Sequence, residues 1–127
     1  MQRFMFLCFL LLFATISCQK VEIEDYKTAI VGDWINPEVI ISIPSPGHKM
    51  HLFSGNGTYT YNTGDCDEDI NRGGDDTYQI KGDTIFLFLH TSIEHWSDTF
   101  IITHLTKNKL EFRRPAQAKS PKYNRCK

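Results

Sequence analysis

Downstream of residue 33 the chain divides into short runs in which apolar side chains recur at every second position, separated by Gly, Asn, Asp and Pro. That is the period of a strand with one face buried, punctuated by turn residues. Trp34 to Ile43 is rich in Val and Ile and is interrupted by Pro37; His48 to Phe53 follows. Ser54-Gly55-Asn56-Gly57 predicts a tight turn, because Asn-Gly supplies the positive φ angles a hairpin needs, and Thr58-Tyr59-Thr60-Tyr61 alternates cleanly beyond it. Residues 62–76 are polar, acidic and glycine-bearing, and predict a loop. Thr77–Lys81, Thr84–His90, Asp98–Leu105 and Lys109–Arg114 read as further strands, joined through Gly82-Asp83, Ser92–Ser97 and Lys107-Asn108. The tail from Pro115 to Lys127 contains two prolines. About eight extended runs with turns roughly every eight to twelve residues predict an antiparallel barrel or sandwich. Only Tyr26–Val31 reads as a helical turn.

The N-terminal pattern is different. Met1-Gln2-Arg3 carries one positive charge, Phe4 to Ala14 is unbroken apolar sequence, and polarity rises sharply after Thr15-Ile16-Ser17-Cys18. A basic start, a short apolar stretch and a small-residue site make an export signal, residues 1–17, and the stretch is too short to span a bilayer comfortably. The site resembles a bacterial lipobox, in which a small residue, here Ser17, precedes a cysteine that receives diacylglycerol. Thr15 departs from that pattern, which usually has leucine there, and ordinary cleavage after Ser17 is the alternative. The resemblance implies lipidation at Cys18, a tether over 18–27 and a domain over 28–127. Two or three acyl chains make a stable anchor where one does not. Gln19 lacks the aspartate that retains such lipoproteins in the inner membrane, which implies the outer membrane, on its periplasmic or cell-surface face.

Cysteine parity bears on the same point. The chain has Cys8, Cys18, Cys66 and Cys126. With Cys8 removed and Cys18 acylated, Cys66 and Cys126 remain as an even pair in an oxidising compartment and are expected to form a disulfide. Two free thiols or a bond to a partner are the alternatives. Of 127 residues 41% are hydrophobic and 23% charged, as in ordinary globular domains. The formal net charge is −1, which leaves no electrostatic footprint for nucleic acid.

Gly32-Asp33-Trp34 resembles the Gly-x-Trp signature of lipocalins. The units that follow are similar in order to the small lipocalin-like domains of bacterial lipoproteins: Phe53-Ser54-Gly55-Asn56-Gly57-Thr58-Tyr59, then Tyr78-Gln79-Ile80-Lys81-Gly82-Asp83, then the turn Leu105-Thr106-Lys107-Asn108-Lys109-Leu110. The resemblance spans most of residues 28–114. It implies an all-β, antiparallel up-and-down barrel in which Trp34 packs at the closed end beneath a late basic residue, Arg113 or Arg114. It also implies a binding protein without catalysis or a cofactor.

Strand 84–90 is apolar on both faces, so something is expected to cover its outer face: a helix, the tail or a partner. If the aromatic faces point inward, Trp34, Tyr59, Tyr61, Phe86, Phe88 and Phe100 would line a cavity for a small apolar or amphipathic ligand. The alternative is that they fill a small barrel completely, leaving an envelope module that meets a protein or glycan. Asp65-Cys66-Asp67-Glu68-Asp69-Ile70-Asn71-Arg72-Gly73-Gly74-Asp75-Asp76 loosely resembles a calcium loop, but Ile70 stands where glycine is needed and Asp76 where glutamate is, so it reads as a solvated loop. His48, His51, His90, His95 and His104 show no third zinc ligand, and no metal is expected. No nucleophile motif, phosphate loop or plausibly paired carboxylates are found, so no enzyme is expected.

Overall fold

The structure, a computed structural model, describes residues 19–41, 47–67, 70, 72, 74–91 and 93–127. The expected export signal and Cys18 lie outside these residues. A 3₁₀ turn, Ile23–Asp25, leads into one short helix, α1 (Tyr26–Ala29), and eight strands follow: β1 (Gly32–Ile41), β2 (Gly47–Phe53), β3 (Tyr59–Gly64), β4 (Thr77–Lys81), β5 (Thr84–His90), β6 (His95–Leu105), β7 (Lys109–Arg113) and β8 (Lys122–Arg125). They form one antiparallel sheet in the order β3-β2-β1-β8-β7-β6-β5-β4. The outermost strands, β3 and β4, meet only where Thr58 bridges Thr77, supported by Tyr59 N–H to Asp76 C=O and Tyr78 N–H to Gly57 C=O, each 3.0 Å. The result is the expected all-β, eight-stranded up-and-down barrel, nearly closed, with its seam between β3 and β4.

Apart from shifts of one or two residues at the ends of β1, β2 and β7, three features differ from the sequence reading. β3 continues to Gly64, and β6 begins at His95, so the connection after β5 shrinks to a turn closed by Thr91 N–H to Glu94 C=O at 2.9 Å. The tail supplies β8, which pairs with both β7 and β1. Pro121 precedes the strand, where a missing N–H is tolerated. The polar look of Lys122–Arg125 arises because one of its two inward side chains is an arginine.

The interior follows alternation, broken in β6, where a register shift between Ile102 and His104 lets both Ile102 and Leu105 face inward. Trp34, Phe53, Tyr59, Ile80, Ile85, Leu87, Phe100, Ile102, Leu105, Leu110, Phe112 and Tyr123 form one buried cluster with Tyr26 and Ile30. Pro37 leaves its mark as a bulge: the β1–β2 register shifts between Ile35 and Ile40, and the Asn36 side chain accepts the Glu38 N–H at 2.9 Å. In the turn after β2, Asn56 Oδ1 accepts from Thr58 N–H and Oγ1, and Gly57 takes φ +89°.

At the closed end Trp34 is fully buried, with its indole N–H bonded to Ile30 C=O at 2.8 Å. The guanidinium over its ring, 4.2 Å from the centroid, belongs to Arg125 and not to Arg113 or Arg114. β8 lies beside β1, so its last residue is the one that reaches Trp34. Arg113 instead binds the carbonyls of Pro115 and Gln117, and Arg114 pairs with Asp98. Arg125 donates to Ala29, Val31 and Lys107 C=O, each at 2.6 Å, joining the end of α1 to the β6–β7 turn. Gly32 lies against this group; a Cβ there would run into Arg125 Nη1, and its φ of +140° suits glycine.

The acidic segment after β3 is a strap. Asp33, which by alternation faces outward from β1, is held by Arg72 through both carboxylate oxygens, at 2.6 and 2.5 Å. Cys66 is disulfide-bonded to Cys126, whose backbone N–H bonds Asp33 C=O. Met50 and Leu52 also face outward from β2, yet they are fully buried.

Candidate functional site

The other end of the barrel is not filled. A cavity of about 420 Å³ opens there, within the range of small-molecule sites. Its walls come from inward residues of six strands: Lys49 and His51 of β2, Tyr59 and Tyr61 of β3, Leu87 and Leu89 of β5, Trp96, Asp98 and Phe100 of β6, Phe112 of β7 and Tyr123 of β8. His90, the last residue of β5, also stands on the lining, with Asp76 and Arg114 just outside the strands.

Of the six residues expected to line a ligand site, the structure brings three together here: Tyr59, Tyr61 and Phe100. Trp34 is sealed into the closed end. Phe86 and Phe88 stand on the outer face of β5, because Ile85 and Leu87 take the buried positions. Phe86 is half-buried, with Lys81 Nζ 5.9 Å from its ring centroid; Phe88 is exposed. The choice between two apolar faces could not be made from β5 alone. It is fixed by its neighbours, since Phe86 lies opposite Gln79 and Thr99 on β4 and β6, whereas Ile85 lies opposite Ile80 and Phe100.

His51 is the residue the sequence reading did not place. It is 4% exposed and packed among rings, with centroids 4.9 Å from Phe112, 5.0 Å from Tyr123, 5.6 Å from Tyr61, 5.9 Å from Tyr59 and 6.4 Å from Phe100. Its Nδ1 is 2.6 Å from the Tyr59 hydroxyl, whereas its Nε2 is buried without a partner. Burial, helped by the positive charges of Lys49 and Arg114, lowers its pKa to about 3, so the ring is neutral at ordinary pH. Burial likewise pushes the Tyr59 phenol far above its usual range and Tyr123 up to about 12. The signal for His51 was available in the alternation of His51 with Lys49 and Phe53 on one face of a strand.

The rim is polar. Arg114 grips Asp98 through Nε at 3.1 Å and Nη2 at 2.8 Å, and its Cζ lies 5.2 Å from the Phe100 centroid. Asp76 accepts the His90 N–H at 2.8 Å. Among the described residues no group of three or more His, Cys, Asp or Glu side chains is placed to hold a metal ion. The arrangement offers an apolar, ring-lined chamber with charged groups at its mouth, which is suited to sequestering a small molecule.

A scan against protein-family models finds no match, and searches of curated proteins and of solved structures find none.

Proposed function

We propose that this chain is a lipid-anchored binding protein of the bacterial cell envelope, tethered through Cys18 to the outer membrane, that takes a small apolar or amphipathic ligand into the open end of a lipocalin-like barrel. The carrying observation is the cavity: Leu87, Leu89, Phe100, Phe112 and Tyr123 line space that a filled eight-stranded barrel would not leave. The walls supply apolar contact, the rim supplies orientation, and no covalent chemistry is assigned to any residue. The export signal, the lipobox-like Ser17-Cys18 and the Cys66–Cys126 bond agree with an envelope address.

The test is native mass spectrometry of the protein expressed in a lipid-processing host and released gently. Mass beyond acylated protein supports the carrier reading and gives the class of cargo. Acylated protein alone, together with no binding across a panel of apolar and amphipathic probes, overturns it. The second reading, a module for an envelope protein or glycan, draws on Phe88, Ile93 and Trp96, three exposed apolar side chains on the β5–β6 hairpin.

A further inference from the structure

The hydrogen-bonding groups of the cavity wall are not balanced. Arg114 and Asp98 satisfy each other, and Asp76 is engaged by the His90 N–H. The Tyr59 hydroxyl keeps its proton and shares a hydrogen bond with His51 Nδ1. The other ring nitrogen, His51 Nε2, is the buried side-chain polar atom left without a partner among the described residues. Two residues nearer the mouth on the same inward face, about 7 Å along the strand, Lys49 lines the cavity with no ion-pair or side-chain hydrogen-bond partner among the described residues. The β2 wall thus presents an unpartnered positive charge beside an unpartnered imidazole nitrogen.

We infer that the cavity selects ligands with an anionic group: a flat, largely unsaturated body packed among Tyr59, Phe100, Phe112 and Tyr123, with a carboxylate or comparable anion meeting Lys49 at the mouth. This rests on the small-ligand reading above. Ring walls favour flat ligands, which stack or meet them edge to face. A carboxylate on Lys49 makes a charge-assisted hydrogen bond in a partly desolvated site. A cationic ligand would place its charge beside Lys49 and Arg114, answered by Asp98, already committed to Arg114, and by Asp76, which is held by the His90 N–H.

The experiment uses three probes of one shape and different charge: 2-naphthoate, 2-naphthylmethanol and 2-naphthylmethylammonium. They are titrated at neutral pH and low salt into the purified, disulfide-bonded full chain. Binding is followed by calorimetry and by the fluorescence of Trp96, the tryptophan at the mouth. The expected order is naphthoate, alcohol, ammonium, with naphthoate at least about tenfold tighter than the ammonium. Lys49→Gln should weaken naphthoate about tenfold and leave the alcohol within about twofold, its melting temperature confirming that it folds. Equal affinities, a preference for the ammonium, or naphthoate binding unchanged in Lys49→Gln would overturn the charge selection while leaving a cavity that binds. No binding of any of the three would remove the cavity reading together with this inference.

Discussion

Arg125 and His51 show how much a single inward polar residue can decide. Arg125 is the third residue from the end of a polar tail, and nothing in its neighbours announces a core role. Its three short bonds to Ala29, Val31 and Lys107 carbonyls become visible only once β8 is seen to lie beside β1. Gly32-Asp33-Trp34 was legible as a closed-end motif, but the identity of the basic residue was not, because Arg113 and Arg114 are equally placed in sequence terms. Arg125→Met keeps the stem packed on Trp34 and removes the donors. It should cost roughly 3 kcal/mol in urea denaturation, since charged hydrogen bonds contribute about 1.5–3 kcal/mol each and partial rehydration of the carbonyls recovers some of the loss. His51 makes a prediction in pH. The unfolded chain takes a proton near pH 6.5 that the folded ring refuses until about pH 3. Its contribution is therefore free of penalty above about pH 6.5, and stability falls as pH drops through that window. Between pH 6.5 and 5 the loss assigned to His51 is about 2 kcal/mol. His51→Gln retains an acceptor for the Tyr59 hydroxyl and should flatten the denaturation midpoint over that interval relative to the unsubstituted chain, whatever its absolute stability. Parallel slopes for the two proteins would contradict a neutral buried histidine.

Individual strands were readable where a single face is apolar, and less so where chemistry or context shares the decision. The Asn56-Gly57 turn and the runs at 77–81 and 84–90 carry their own local signals, and the structure places strands there. β8 carries almost none: four residues, two of them basic, extended because both neighbouring strands offer free edges. The strap between β3 and β4 was legible as an acidic loop but not as a cover. What makes it one is the pairing of Cys66 with Cys126 and of Arg72 with Asp33, partners 60 and 39 residues apart. Closing about 60 residues restricts the unfolded chain by roughly 4 kcal/mol. The exposed Arg72–Asp33 pair contributes at most about 1 kcal/mol. The double substitution Cys66→Ser with Cys126→Ser should therefore lower unfolding free energy by about 4 kcal/mol, and Arg72→Ala by much less. The same urea series checks both. If Arg72→Ala matched the disulfide's effect, the strap would be held by charge and not by the covalent bond.

At the scale of the whole molecule the barrel has two unlike ends and one weak side. The segment leading from the expected anchor is fastened at the closed end, where Val21 N–H bonds Leu105 C=O at 2.8 Å. The cavity lies toward the opposite end of the same β6 strand, its mouth residue Trp96 about 30 Å along the strand from Leu105. On the proposed anchoring, the mouth of the cavity would point away from the tether. The weak side is the β3–β4 seam, joined by one bridge and two flanking main-chain bonds, whereas β1 is paired on both sides, to β2 and β8. Local opening should begin where backbone bonds are fewest. Hydrogen exchange should accordingly be fastest, among the strands, along the free edge of β3 from Thr60 to Gly64, and slowest at inward core positions of β1 and β7. Tyr59 and Tyr61 place that soft edge on the cavity wall, so a bound ligand that packs against them ties down the strand with least other support. Saturating naphthoate should slow exchange in β3 more than in β7, although both strands contribute to the cavity. Uniform slowing across all eight strands would mean that the ligand stabilises only global unfolding. A change confined to β3 would show the seam to be the part of the barrel that yields when the cavity fills.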